Sequence, residues 1–340
     1  MSVEEFFRQM MSGDSKKLLL LVLVLFVVGC LLLAVNIAVR FLSRVEVSVR
    51  PMFTYSERNY SISVGNISHY GCMALISIVM AVAVLAAGSP VSFGRHWYEK
   101  HQLIAHAGGG IDGLAYTNSI EAVKLNYKNG HRVFEVDFCL SGDMKLVAEH
   151  DWKYFWQKQK IDSEAPVTRD EFMSTPVYEK YTPMDIDTVI DLMIEYEDMY
   201  VMTDYKNCNN KQEVQIGLKQ IVVAAEKKNA KRVLKRFIIQ TYHDSYIDWA
   251  NEVYTFDNYV YTMYVRGDYD FDKFVGYCRS AHVPIITMWT EWYYNLVLGF
   301  DDYKDLNVFV HTENEISYVR QLIADGVKGI YTDFITPEMI

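Results

Sequence analysis

The chain has 340 residues, 51% of them hydrophobic, and a formal net charge of −10. That length suits one large domain with an appendage, and the acidic balance argues against a nucleic-acid partner, which would favour a basic face. The five cysteines are dispersed and form no Cys-x-x-Cys pair, so neither a disulfide framework nor a zinc site is expected.

Residues 1–17 read as an N-terminal tail. Residues 18–39 are nearly unbroken apolar sequence, preceded by Lys16 and Lys17 and followed by Arg40. At a rise of about 1.5 Å per residue, such a run spans a hydrocarbon core of about 30 Å. It is longer than a signal-peptide core, and no small-residue cleavage site follows closely. A retained transmembrane helix is therefore expected over 18–40. Residues 41–70 form a linker that alternates at Val45, Val47 and Val49 and carries sequons at Asn59 and Asn66. A second apolar run, 71–93, predicts a second transmembrane helix; its strict core is short, and a buried or interfacial helix is the alternative. The expectation is an integral membrane protein. Basic residues flank the first span almost evenly, so the side of the membrane stays open.

From residue 103 onward, short β-rich runs alternate with helical patterns. The runs are 103–107, 132–140, 200–205, 236–242, 259–265, 283–289, 307–311 and 329–332, eight in all. Helices are expected at 119–127, 186–197, 211–228, 245–253, 271–281 and 313–324, the last closed by Gly326. A hairpin extension is expected over 145–149, after the second strand. The alternation predicts an α/β fold, a (β/α)8 TIM barrel over 94–340. A doubly wound open sheet is the runner-up, without a Gly-x-Gly-x-x-Gly after the first strand to support it.

Catalytic groups of such barrels sit at the C-terminal ends of strands. His106 ends the first expected strand, and Glu135 with Asp137 lie two apart in the second. Asp204 and Lys206 repeat that spacing at the third, Gln240 and Tyr242 at the fourth, and His150 follows the hairpin. Residues two apart on a strand share a face, and polar pairs on otherwise apolar strands are costly to bury without purpose. Glu135, Asp137 and Asp204 would repel one another unless a cation neutralised them. All-oxygen ligation suits Mg²⁺ or Ca²⁺. His106 and His150 could divide proton transfers, one as base and one as acid, and Lys206 could hold a phosphate oxygen. Asp204 and Lys206 could also simply pair with each other.

The ordered segments HAGGG, YTNSIEAV, GHRVFEVDFCLSGDMKLVAEHDW, YVMTDYK, FIIQTY and VFVHTENEISYVRQLIADGVKGIYTDF resemble the signature of the glycerophosphodiester phosphodiesterase family. The resemblance covers about 103–334. It implies a metal-dependent phosphodiesterase with His106 and His150 as the acid/base pair and Glu135, Asp137 and Asp204 as metal ligands. It places Lys206 on phosphate, and Gln240 and Trp289 are further candidates for substrate contact. The implied partner is a phosphodiester small molecule or lipid headgroup, and the N-terminal apolar runs add a membrane. Ala107 stands where the family has Arg, Thr117 where it has Glu, Asp204 where it has Glu, and His311 where it has Trp. The Glu, Asp and Asp set looks more like the sphingomyelinase D branch. Alternatives are a catalytically inactive, membrane-tethered barrel that binds ligand, and a phosphotransferase using the same site.

Overall fold

The computed structural model describes residues 96–263, 270–303 and 305–340. Both expected transmembrane helices, the linker between them and positions 264–265 of the fifth expected strand lie outside the described residues. Among those described, no helix is long and apolar enough to cross a membrane.

The described strands are β1 (Leu103–Ala105), β2 (Val133–Leu140), β3 (Leu146–Val147), β4 (Tyr200–Tyr205), β5 (Phe237–Thr241), β6 (Asn258–Thr262), β7 (Ile285–Trp289), β8 (Asn307–His311) and β9 (Gly329–Thr332). All pair in parallel except β3, which runs antiparallel to the end of β2 as the expected hairpin. The sheet closes because β1 pairs with both β9 and β2. Eight parallel strands thus form a barrel, and helices between them cover its outside. The first strand is shorter than expected. His106 opens a 3-10 turn, His106–Gly108, just beyond β1.

The inside of the barrel has a simple logic. One apolar residue from each parallel strand joins a single cluster: Ile104, Val133, Met202, Ile238, Val260, Ile285, Phe309 and Tyr331. Residues so distributed can meet only inside the ring. Trp97 packs on this layer, its ring edge-on to Phe309. Side chains two residues further along a strand share its face. Adding two to each position gives His106, Glu135, Asp204, Gln240, Thr262, Thr287, His311 and Asp333. An apolar floor therefore carries a wholly polar ring at the C-terminal end of the barrel. The outward positions remain apolar, as Phe134, Val136 and Phe138 show, because helices cover them.

Local chemistry explains the covering helices. Ser119 caps Ile120–Lys128 by accepting the Ala122 N–H, and Asp185 and Asn210 cap Ile186–Glu195 and Lys211–Lys227 in the same way. Gly326, at φ +105°, follows the end of Ile316–Ala324 in a conformation that favours glycine. Gly217 of Lys211–Lys227 lies under the buried Tyr205 ring; a Cβ there would come within 2.5 Å of Tyr205 Cζ. Beyond β1, three short helices depart from the expected pattern: Trp152–Lys158, Arg169–Ser174 and Thr290–Leu296. Their stretches are too brief to display an apolar period, although Thr168 and Glu171 complete a capping box on the second.

Candidate active site

The loop after β1 bends sharply to bring its backbone over β2. Ala107 takes φ 49°, and its N–H donates to Glu135 Oε2 at 2.7 Å. Tyr116 and Asn118, later in the same loop, are also left-handed at φ 56° and 42°. Such conformations cost about 1–3 kcal/mol each and persist where surrounding contacts hold them. Here Asn118 is held on both sides: its Nδ2 donates to Asp137 Oδ2 at 2.9 Å, and its Oδ1 accepts the Asp137 N–H at 3.2 Å.

Glu135, Asp137 and Asp204 are buried, and each offers an oxygen within 4.8 Å of the others. The β2–β4 register sets Asp137 directly opposite Asp204. Lys206 Nζ lies between these two, 2.9 Å from Asp137 Oδ1 and 2.7 Å from Asp204 Oδ2. Asp204 also accepts from the Tyr242 hydroxyl. Burial raises the Glu135 pKa well above the usual carboxylate range, and Asp137 raises it further. Burial acts the same way on Asp137, but Lys206 and both histidines outweigh it and hold Asp137 low. Burial would lower the Lys206 pKa; Asp137 and Asp204 overcome it and raise it.

The two histidines are anchored alike. A carboxylate only accepts, so the ring nitrogen facing it must donate. His106 Nδ1–H donates to Asp333 Oδ1 at 2.8 Å, and His150 Nδ1–H donates to Asp151 Oδ2 at 2.7 Å. In each ring Nε2 is left for proton transfer. Burial would lower the His106 pKa, but Asp333, Glu135 and Asp137 raise it to about 9. Tyr116 stands between the rings, with centroids 4.6 Å from His106 and 5.8 Å from His150.

Every residue proposed from the sequence lies on this end of the barrel. Gln240 is buried, its amide engaged with the Tyr242 and Tyr331 hydroxyls. Trp289 ends β7 and is 43% exposed, its ring 4.5 Å from that of His311. Burial pushes the His311 imidazole down to about 3, helped by His106 and Lys206. Thr117, where the family has Glu, accepts from the Ser119 hydroxyl.

Several participants were not singled out from the sequence: Asp333, Asp151, Asn118, Tyr116 and Asn314. Asn314 fixes Asp333, its Nδ2 donating to Asp333 Oδ2 at 2.7 Å and its Oδ1 accepting the Asp333 N–H at 2.8 Å. The available signals were the Asp after His150 and the Asn and Thr-Asp of the closing segment. Each lay inside a recognised motif without an assigned part.

The donor set fits a hard divalent cation. Glu135 Oε1 is buried and accepts no hydrogen bond, an arrangement that is costly unless a charge or donor reaches it. It lines a cavity of about 30 Å³ shared with His106, Asp204, Gln240, Thr287, His311 and Tyr331. Together Glu135, Asp137 and Asp204 offer an all-oxygen donor set, the kind that suits Mg²⁺ or Ca²⁺.

No family model and no curated protein matches the chain. Solved structures do. A glycerophosphodiester phosphodiesterase from Parabacteroides distasonis superposes with a TM-score of 0.57 at 16% identity, covering 71% of this chain and 95% of that one. A phosphodiesterase from Oleispira antarctica, solved with the product sn-glycerol-3-phosphate, gives 0.54 at 16% over 68% and 93%. A glycerophosphodiester phosphodiesterase from Agrobacterium tumefaciens gives 0.52 at 13% over 69% and 97%. Identities this low speak for the fold alone, and on that ground the described domain is a TIM barrel with the fold of the glycerophosphodiester phosphodiesterases.

Proposed function

We propose that this protein is a membrane-anchored, metal-dependent phosphodiesterase that cleaves glycerophosphodiesters or related lipid-headgroup phosphodiesters. The observation that carries the reading is the pairing of two carboxylate-anchored histidines with a buried three-carboxylate cluster. The fold shared with solved phosphodiesterases, one of them holding sn-glycerol-3-phosphate, supports the substrate class. The anchor rests on the apolar runs 18–40 and 71–93.

Glu135, Asp137 and Asp204 would hold Mg²⁺ or Ca²⁺. When bound, the ion supplies positive charge against the phosphoryl oxygens. Lys206, partly exposed between Asp137 and Asp204, adds a second positive charge beside the phosphate. One histidine takes the proton from the attacking hydroxyl at Nε2, and the other delivers a proton to the departing oxygen. Asp333 and Asp151 fix the two rings and stabilise each imidazolium as it forms. The attacking hydroxyl is either one within the substrate or water.

The position of Lys206, which already offsets part of the cluster's charge, favours a second reading in which the barrel binds phosphodiesters without cleaving them. The full-length chain decides between the two when assayed on phosphodiesters in chelator and after restoring Mg²⁺ or Ca²⁺. Cation-dependent cleavage that falls by about 10²–10⁴-fold in His106→Ala and in His150→Ala is expected. Binding without turnover would establish the second reading; full activity in chelator would remove the metal.

A further inference from the structure

Close to His150 lies the most enclosed ion pair among the described residues. Glu149 and Lys158 have side chains 1% and 3% exposed, and Lys158 Nζ donates to both carboxylate oxygens, at 2.6 and 2.8 Å. Nothing in the proton-transfer scheme uses either group. Removing two charges from water often costs more than their attraction gives back, and well-packed apolar residues of equal size commonly serve stability as well or better. A pair retained in such a place calls for a geometric role.

The hydrogen bonds supply one. Glu149 Oε1, besides holding Lys158, accepts the backbone N–H of His150 at 2.9 Å. On the other side, Asp151 Oδ2 holds the His150 ring, while its Oδ1 accepts the Tyr154 N–H and caps the helix Trp152–Lys158. Lys158 is the last residue of that helix. The chain therefore leaves Glu149, passes His150, turns through the helix and returns its terminal ammonium to Glu149. Apolar and aromatic packing surrounds the loop, with Cys139, Val147, Phe155 and Phe172 buried together and Trp152 and Trp156 against them. His150 itself has no such enclosure, its side chain being 29% exposed. Its backbone and its ring are thus fixed by two different carboxylates, and Lys158 orients the first of them.

We infer that Glu149 and Lys158 form a positioning clamp that sets the backbone of His150, with Lys158 acting through Glu149 and neither touching substrate. This rests on the reading that His150 transfers a proton. The clamp explains why a lysine is buried at the end of a seven-residue helix, where an apolar side chain would pack without desolvation cost. It also separates the two histidines: the partner of His106 is held by the neutral amide of Asn314, whereas His150 depends on a charged pair.

The test is the full-length double variant Glu149→Leu with Lys158→Met, which removes both charges together and so avoids stranding either. It should fold with an unchanged or higher melting temperature, lose about tenfold in kcat with little change in KM, and show about tenfold faster hydrogen exchange at the His150 amide. Glu149→Gln with Lys158→Met keeps an acceptor for that amide and should recover part of the rate, the remaining loss being the share that Lys158 contributes by orienting that acceptor. In a His150→Ala background the Leu/Met pair should cost nothing further, because the group it positions is gone. Wild-type kcat and exchange in the folded Leu/Met variant would overturn the clamp alone, as would an equal loss in the His150→Ala background. A wild type whose rate does not depend on His150 would overturn the functional reading, and positioning for catalysis with it.

Discussion

Replacing Asp333 with Asn tests how the barrel sets the charge of His106. In the folded protein that imidazole titrates at about 9 against an ordinary value of 6.5. The difference, 9 − 6.5, is about 2.5 pK units, or about 3 kcal/mol favouring the charged ring at 1.36 kcal/mol per unit. Burial opposes this, so the hydrogen bond to Asp333 and the fields of Glu135 and Asp137 must exceed it. Asn keeps the shape of the side chain and removes its charge. An opposite charge at hydrogen-bond distance is worth about 1–3 units, so the pKa should fall by about that amount. The sign for stability follows. A raised folded-state pKa stabilises the native state fully below about 6.5, and the contribution is lost as pH rises through about 9. Asp333→Asn should therefore lower the melting temperature most near pH 6 and progressively less toward pH 10. The assay is a histidine-selective NMR titration with melting curves across that range, in excess chelator so that no added cation contributes. A wild-type His106 titrating at or below its ordinary value would refute the reasoning. So would a stability difference that stays constant with pH.

Glu135→Gln should retain the fold while losing stabilisation by Mg²⁺ or Ca²⁺. Wild type at a cation concentration 100-fold above Kd should gain about 2.7 kcal/mol by mass action, and an equal gain in the variant would remove Glu135 from the ligand set. Lys206→Met should destabilise the chelated protein, because Asp137 and Asp204 lose the ammonium between them. Breaking a buried pair costs about 3–5 kcal/mol, with less expected here because Lys206 is partly exposed. Added cation should recover more stability in this variant than in wild type, and an equal response in both would contradict the arrangement. Gly217→Ala places a Cβ against the Tyr205 ring, which should cost about 1–3 kcal/mol; an unchanged denaturation midpoint would show that the ring can move aside.

The barrel strands were legible because each is apolar on its outward face and, at its lower end, on its inward face as well, so β4, β8 and β9 fall where the apolar runs do. The polar members of the mouth were legible for the complementary reason: Glu135 with Asp137, and Asp204 with Lys206, interrupt or end those runs at a spacing of two. What remained hidden depends on closure or on loops. Asp333 is 227 residues from His106 in sequence, and local pattern carries no information about that pairing. The bend that aims the Ala107 N–H at Glu135 has a left-handed residue that is not glycine. Lys158 looks like an ordinary solvated lysine on a short helix until Glu149 is seen beside it.

The junction of β1 with β9 has a consequence for synthesis. His106 leaves the ribosome 227 residues before the carboxylate that anchors its ring. A nascent chain can already carry several paired strands, but His106 has no anchored tautomer until β9 docks. On the proposed mechanism, proton transfer at that ring requires the barrel to be closed. Chains cut shortly before Gly329 should keep native-like far-ultraviolet dichroism and be silent in turnover. Adding the missing C-terminal peptide in trans would then switch them on.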